Sequence, residues 1–270
     1  WSYYLPSEPG TGTAEDLGYG EKLVRDALTS WNGPRDEVLV ATKTGYRRTC
    51  EAVAATDGTH AVGADESRPQ SQRLQAAGSR YGWIADSRPE TMIRDAKESA
   101  LHLGVDTLDL LYSHGPDPAV PYEDQCGALK QLLDEGVIKY AGISRVNNEQ
   151  IDLARSIIGS GLVAVQNQFS PSHPDPEHTM EHCAELGLAF VCWSPLGGFL
   201  DTFDQSAYDP FRTVAAQRGC SYQRVVLAWE LTRYERLFTI PSARNPQEIN
   251  DSFAATQLQL TQEELAMLPC

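Results

Sequence analysis

Apolar runs of strand length alternate with helical patterns along most of this 270-residue chain, and this alternation constrains the fold more than any other feature. The runs are nearly continuous, as in VLVAT at 38–42, which is typical of parallel strands buried on both faces. Parallel strands joined by helices indicate repeated βαβ units. We therefore predict parallel strands at residues 37–43, 107–113, 140–144, 163–166, 189–194 and 237–241.

Helix start signals lie between these strands. The segments SRPE at 87–90 and TQEE at 261–264 have the pattern of capping boxes, and Asn245 followed by Pro246 reads as an N-cap with proline at the first helical position. The fold class predicted is α/β, a (β/α)8 TIM barrel. Six strands fall short of eight, and residues 1–16 show no strand–helix pattern, so we expect the first two strands to be missing from this chain.

The length and one polar stretch define the expected domain organisation. A chain of 270 residues is close to the roughly 250 of one (β/α)8 barrel, so we predict a single domain over residues 1–270. Residues 44–86 are rich in Ala, Ser, Gln and Gly and have no clear period. We predict that they form a long loop insertion at the top of the barrel.

Charge and cysteine usage narrow the expected partners and location. The 37 Asp and Glu outnumber the 22 Lys and Arg, which gives a net charge of −15. Such a surface repels phosphate backbones, which argues against nucleic acid and anionic membranes as partners. The six cysteines are scattered without C-x-x-C or zinc-finger spacing, and no apolar run reaches eighteen residues. We expect a cytoplasmic protein with reduced thiols and no metal site, whose oligomeric state is open.

Six short motifs follow one another at predicted strand ends, in the order that one enzyme family uses. They are VATK at 40–43, LDLLYSH at 108–114, GVIKYAGIS at 136–144, QN at 166–167, WSPLG at 193–197 and IPSAR at 240–244. In these motifs, and from about residue 20 to residue 268 apart from the insertion, the sequence resembles the aldo-keto reductases. The resemblance implies a TIM-barrel oxidoreductase that moves hydride between NADPH and a carbonyl carbon of a small-molecule substrate.

The resemblance assigns the catalytic residues. Lys43 and His114 match the family's lysine and histidine, and both follow predicted strands, where TIM barrels place catalytic groups. A tyrosine would protonate the alkoxide; its usual pKa of about 10 makes it a slow acid, and the Lys43 ammonium would lower that pKa. His114 would orient the carbonyl oxygen. The family's tyrosine follows an Asp by five positions, which Tyr3 satisfies if that Asp lies two residues before Trp1; Tyr4 is the alternative.

The resemblance also assigns an NADPH site. Arg244, ahead of the helix predicted to open at Asn245, would bind a monophosphate such as the 2′-phosphate of NADPH. Trp193 would stack on the nicotinamide. Arg145 stands where the family usually has Asn beside the carboxamide. The other cofactor-binding residues implied by the resemblance are Ser144, Gln166, Ser194, Leu196, Gly197, Ser242, Ala243 and Asp251.

Three functions are compatible with these residues. The leading interpretation is reduction of an aldehyde or ketone. The second is an NADPH-binding barrel without catalysis that acts as a regulatory or partner-binding subunit, and the third is a Schiff-base aldolase that uses Lys43. We further expect the working protein to carry an N-terminal segment with the two missing strands; a short form closed by dimerisation or by an unusual N-terminal arrangement is the alternative. Residues 44–86 and 199–209 are expected to line the substrate pocket.

Overall fold

Strands and helices alternate in the computed structural model, which describes residues 17–48, 83–175, 177–197 and 204–269. The strands are β1 (Ala41–Thr44), β2 (Tyr46–Arg48), β3 (Trp83–Ala85), β4 (Leu108–Ser113), β5 (Ile138–Ser144), β6 (Leu162–Gln168), β7 (Ala189–Trp193) and β8 (Leu237–Thr239). The helices are α1 (Tyr19–Ser30), α2 (Pro89–Leu103), α3 (Tyr122–Asp134), α4 (Asn148–Ile158), α5 (Thr179–Glu185), α6 (Asp209–Arg218), α7 (Tyr222–Leu231), α8 (Pro246–Ala254) and α9 (Gln262–Met267). Short 3-10 turns lie at Arg35–Glu37, Gly159–Gly161, Gln205–Tyr208 and Ala255–Gln257.

The chain divides into two units, Trp1–Val163 and Ala164–Cys270. In the first unit β1, β4 and β5 lie side by side in that order, and both pairs are parallel. Every residue of β4 is buried, which agrees with the continuous apolar run in its sequence. The register aligns Lys43 with Tyr112 and Tyr112 with Gly142, so the strand ends that carry the candidate catalytic residues are neighbours.

The second unit repeats this arrangement with β6, β7 and β8, again parallel and in that order. Its core is aromatic. The Trp229 ring of α7 stacks on Phe169 with ring centroids 5.5 Å apart and meets Phe211 edge-on at 5.3 Å. Such offset and edge-to-face pairs add to the stability gained by burying the rings. The six predicted strands are therefore confirmed, with ends shifted by a few residues.

The two ends of the predicted insertion are ordered strands, which corrects the prediction of a continuous loop over residues 44–86. β2 and β3 pair antiparallel, with Tyr46 opposite Ala85 and Arg48 opposite Trp83. Three-residue strands are too short to show a period in sequence, so the pattern gave no signal. The intervening residues 49–82 lie outside the described part of the chain.

A buried ion cluster anchors the base of this β2–β3 ribbon. Arg47 is 1% exposed, and its guanidinium Nη1 lies 3.3 Å from the carboxylate of Asp86. Its Nε lies 3.9 Å from the carboxylate of Asp95 on α2, and Arg88 donates to Asp86 at 2.7 and 2.8 Å. Removing one partner from such a cluster leaves an uncompensated charge in the interior, which is strongly destabilising. The ribbon is thus fixed to α2.

The predicted helix caps are correct at two of three positions. Thr261 forms the capping box with Glu264, and Asn245 accepts the backbone N–H of Glu248 at 2.9 Å. The box predicted at 87–90 is wrong, because the Ser87 hydroxyl donates to the Gly45 carbonyl oxygen at 3.2 Å instead. α2 begins after Arg88 without a side-chain cap.

Helix hydrophobicity and cysteine burial are the remaining features of the fold. Within the described ranges, no helix is long and apolar enough to cross a bilayer. Cys126, Cys183 and Cys192 are buried free thiols, and Cys220 is a partly exposed one. Burial raises the pKa of Cys183 to about 12, so this thiol is unreactive at neutral pH.

Candidate active site

Lys43 leaves the C-terminal end of β1 as a partly buried cation. Its ammonium nitrogen Nζ lies 5.8 Å from the centroid of the Tyr112 ring, on the paired residue of β4. Burial and, to a smaller extent, the positive charge of Arg145 together lower the pKa of Lys43 to about 8. The ammonium is therefore still protonated at neutral pH but is far closer to titration than an exposed lysine.

The ring beside Lys43 depends on a glycine. A Cβ built on Gly142 of β5 would lie 2.3 Å from Cε1 of Tyr112, a distance that real Cβ atoms do not show. Any larger residue at this position would push the Tyr112 ring out of place. Gly142, part of the motif at 136–144, thus makes room for the aromatic ring that Lys43 contacts.

His114 follows β4 directly and is tied to the neighbouring strand. Its backbone N–H donates to the carbonyl oxygen of Thr44 at 2.9 Å, and the side chain is buried. Burial, then the charges of Lys43 and Arg145, hold the pKa of His114 well below its usual 6.5. The imidazole is therefore neutral at pH 7, with one N–H to donate and one nitrogen to accept.

Tyr46 is a site residue that the sequence reasoning missed. Its ring centroid lies 5.2 Å from that of His114, and the guanidinium carbon of Arg145 lies 5.5 Å from the Tyr46 ring centroid. Gly45 makes this placement possible, because its φ of 89° lets the chain turn from β1 into β2. The sequence signal for Tyr46 was the Gly-Tyr pair that begins two residues after Lys43. It would have indicated a site residue only if a turn at Gly45 had been predicted.

Arg145 reaches back from the end of β5 over the same strand ends. It is exposed and has a φ of 58°, in the left-handed region that non-glycine residues rarely adopt. A Cβ on Gly115 would lie 3.3 Å from Arg145 Cδ, so the side chain passes close to the residue that follows His114. The first unit therefore brings two cations and a neutral imidazole together: Lys43, Arg145 and His114.

Other predicted cofactor residues lie at strand ends in each unit. Ser144 is buried at the end of β5 in the first unit. In the second unit Gln166 is buried on β6 in register with Val191, while Trp193 ends β7 and is partly exposed.

A tight turn follows Trp193. Ser194 has a φ of 49°, and its carbonyl oxygen accepts the N–H of Gly197 at 2.9 Å. Leu196 packs against the buried cluster of Leu227, Ala228 and Ala255. The structure thus brings Ser194, Leu196 and Gly197 together in one turn, as the motif at 193–197 implies.

Ser242, Ala243 and Arg244 form an exposed segment immediately before α8. The Arg244 side chain is 88% exposed and is ion-paired with Glu248, with Nη2 2.8 Å from Oε1. Asn245 caps the helix as predicted. The cation that the sequence assigned to a phosphate therefore has a carboxylate partner from its own helix, which the sequence reasoning did not anticipate although the i, i+4 spacing was visible.

Asp251 on α8 lies between two polar neighbours. It is ion-paired with Arg224 and accepts the hydroxyl of Ser221, the N-cap of α7. The carboxylate that the resemblance assigns to the cofactor thus also joins α7 to α8. The candidate proton donors Tyr3 and Tyr4 lie outside the described residues.

Comparison with known proteins places this geometry in a family. The sequence model of the aldo/keto reductase family matches residues 2–269. Pyridoxine 4-dehydrogenase of Escherichia coli strain K12 is 26% identical over 254 residues, which covers 92% of this chain and 75% of that enzyme.

Solved structures agree with the sequence match. A thermostable aldo-keto reductase in complex with the inhibitor epalrestat superposes with a TM-score of 0.69 at 21% identity, over 94% of this chain and 79% of that one. An aldo-keto reductase of Bombyx mori in complex with NADP gives a TM-score of 0.64 at 21% identity, over 94% and 73%. Likeness at this identity concerns the fold, and it confirms the predicted α/β TIM-barrel class.

Proposed function

Because this chain belongs to the aldo/keto reductase family, we propose that it reduces an aldehyde or ketone to an alcohol with NADPH as the hydride donor. One observation in the structure supports this most directly: a partly buried lysine of lowered pKa and a neutral histidine lie at the ends of adjacent parallel strands. Hydride transfer to a carbonyl carbon leaves negative charge on the oxygen. The histidine can stabilise that charge with a hydrogen bond, and the lysine can promote its protonation.

His114 is proposed to hold the carbonyl oxygen. Its imidazole is neutral at pH 7 and still carries one N–H. This N–H can donate a hydrogen bond to the carbonyl oxygen as negative charge develops there. The backbone N–H of His114 donates to the carbonyl oxygen of Thr44, which holds the backbone that carries the ring. Fixed donors aimed at developing charge need no reorganisation during the reaction.

Lys43 is proposed to activate the tyrosine that delivers the proton. An ammonium near a phenol stabilises the phenolate and lowers the pKa of the phenol, which makes it a faster acid at neutral pH. Lys43 is partly buried, so its charge is screened less by water than that of an exposed lysine. We propose Tyr3 as this acid, with Tyr4 as the alternative, since the resemblance places one of them there. The alcohol oxygen receives the phenolic proton and the carbon receives the hydride.

Bound NADPH supplies the hydride. In the first unit, Ser144 and Arg145 are proposed to contact it. In the second unit, the proposed contacts are Gln166, Trp193, Ser194, Leu196, Gly197, Ser242, Ala243, Arg244 and Asp251. Buried polar side chains at strand ends, exemplified by Ser144 and Gln166, fit a carboxamide, and the helix N-terminus after Arg244 fits an anion. The solved Bombyx mori relative is a complex with NADP.

We also propose that the enzyme works in a reducing cytoplasm on small carbonyl compounds. Three buried free thiols support the compartment, since oxidising compartments favour disulfides. A net charge of −15 supports small molecules over nucleic acid as partners.

The proposed function is tested with the purified chain and a panel of aldehydes and ketones. NADPH oxidation is followed by absorbance, and NADPH binding is followed separately by fluorescence. Substrate-dependent oxidation that Lys43→Met abolishes is the expected result. Tight NADPH binding with no turnover on any carbonyl compound would favour the non-catalytic alternative, and borohydride-trapped substrate on the protein would favour the aldolase.

A further inference from the structure

The carboxylate of Glu248 occupies the anion position at the start of α8. Its Oε2 accepts the backbone N–H of Arg244 at 2.8 Å, and its Oε1 accepts Nη2 and Nε of the Arg244 guanidinium at 2.8 and 3.1 Å. The amide Nδ2 of Asn245 donates to the same Oε1 at 3.2 Å. One carboxylate thus accepts hydrogen bonds from the guanidinium, a backbone N–H and a side-chain amide. These are the donors that a bound phosphate would use.

Glu248 is held in this position by its own helix. Its backbone N–H donates to Oδ1 of Asn245 at 2.9 Å, and α8 starts one residue after Asn245. A carboxylate in the first turn interacts favourably with the positive end of the helix dipole. Arg244 keeps the pKa of Glu248 below its usual value, first through side-chain hydrogen bonds and then through its backbone N–H. Glu248 is therefore ionised over the working range of pH.

This arrangement disagrees in part with a site built for the 2′-phosphate of NADPH. A phosphate bound by Arg244 would lie within a few ångströms of the Glu248 carboxylate, and two anions that close repel each other. The adenosine ribose of NADH carries a hydroxyl at the same position. A hydroxyl donates a hydrogen bond to a carboxylate, which is the way dinucleotide sites commonly recognise NADH.

We infer that Glu248 is a specificity-determining residue that weakens 2′-phosphate binding and accepts the 2′-hydroxyl of NADH, so that the protein uses both cofactors with a narrow preference. The inference rests on the proposed function, because it concerns the cofactor site of that reaction. Arg244 favours the phosphate and Glu248 opposes it. At the exposed surface, the repulsion between one carboxylate and a phosphate a few ångströms away corresponds to about a tenfold change in affinity.

The test is a fluorescence titration of wild type, Glu248→Gln and Glu263→Gln with NADPH and with NADH. Glu263 is the matched control, since it is an exposed carboxylate in the first turn of α9, in the same unit. The glutamine variant keeps an oxygen that can accept from Arg244 while removing the charge. A thermal melt of each variant shows that it is folded.

The expected result is that wild type binds both cofactors with dissociation constants less than about tenfold apart. Glu248→Gln should widen the preference for NADPH by about tenfold, whereas Glu263→Gln should leave it unchanged. An unchanged ratio of the two dissociation constants in Glu248→Gln, with binding intact, overturns the inference and leaves the proposed function standing. Failure of wild type to bind either cofactor overturns the proposed function and the inference together.

Discussion

The backbone N–H of His114 and the carbonyl oxygen of Thr44 are joined by a hydrogen bond of 2.9 Å. This bond links the residue that follows β4 to the residue that follows Lys43 on β1. The two candidate catalytic side chains are therefore positioned by one ladder of backbone bonds rather than by a flexible loop. Catalytic groups held in this way need little ordering when a substrate binds.

The first prediction concerns Lys43 and His114. Lys43→Met and His114→Ala should each lower kcat by about 10²–10⁴-fold, because both residues act on the charge that develops at the carbonyl oxygen. The dissociation constant of NADPH, measured by fluorescence, should stay within a few fold of wild type. Near wild-type turnover in either variant would show that its assigned role is wrong.

The second prediction concerns Arg145 and the pH dependence of the reaction. If the tyrosine needs a protonated Lys43, activity falls as the pH rises through the pKa of Lys43, about 8. Burial and the positive charge of Arg145 both lower that pKa, so Arg145→Gln should raise it and move the alkaline limb to higher pH. Arg145→Lys keeps the charge and should leave the limb near its wild-type position. The measurement is kcat/KM against pH; an alkaline limb that Arg145→Gln does not move would contradict the coupling.

The third prediction separates the two candidate proton donors. Tyr3→Phe should abolish reduction and Tyr4→Phe should have a mild effect, because only one phenol can lie within hydrogen-bond reach of the carbonyl oxygen. Steady-state rates of the two variants decide between them. The reverse pattern would transfer the role to Tyr4 without changing the mechanism.

The fourth prediction concerns Glu230, a carboxyl on α7 that is 0% exposed. Neither of its oxygens has a hydrogen-bond partner among the described residues, and burial raises its pKa well above 4.5. A raised pKa stabilises the folded protein below the pKa of the unfolded state, and that stability is lost as the pH rises through the folded pKa. Over this window unfolding releases a proton, so the wild-type free energy of unfolding falls by about 1.4 kcal/mol per pH unit.

Glu230→Gln removes the titration and keeps the shape of the side chain. Urea denaturation at several pH values should show that the variant becomes increasingly more stable than wild type as the pH rises. Glu235→Gln, a change at an exposed position of the same unit, is the control and should follow wild type. Parallel pH profiles for wild type and Glu230→Gln would show that Glu230 does not titrate in the folded protein above its usual range.

The fifth prediction concerns Arg244. Its side chain is 88% exposed and pairs with Glu248 of the helix that follows, so Arg244→Ala should change cofactor binding without unfolding the protein. NADPH affinity should fall by roughly tenfold while NADH affinity changes little, because only NADPH carries the phosphate that the cation attracts. Equal losses for both cofactors would mean that Arg244 does not face the 2′-phosphate.

The sequence predicted the parts of the fold that depend on continuous apolar runs. Leu108–Ser113 is apolar along most of its length and is buried at every position, so the pattern and the structure agree. Lys43 and His114 were assigned through the resemblance to the family, and their positions after predicted strands agree with where TIM barrels place catalytic groups. The capping box at Thr261 was visible because its two partners are three residues apart.

The rest depended on geometry that a linear pattern does not contain. Tyr46 reaches His114 only because Gly45 turns the chain with a positive φ. Ser87 has the spacing of a cap, but its hydroxyl donates to the carbonyl oxygen of Gly45 at 3.2 Å instead. The Arg244–Glu248 pair has a visible i, i+4 spacing, yet its meaning depends on which donors the carboxylate reaches.

The antiparallel pairing of Arg48 with Trp83 has a consequence for how such an enzyme can change. The two ends of the long segment between them are already neighbours, and the Arg47–Asp86 ion pair locks them to the frame. Because the paired residues of β2 and β3 lie outside the segment, a short hairpin turn in place of residues 49–82 would satisfy the same backbone bonds. The length and composition of residues 49–82 can therefore change, in evolution or by design, while Lys43 on the preceding strand β1 keeps its position and its charge.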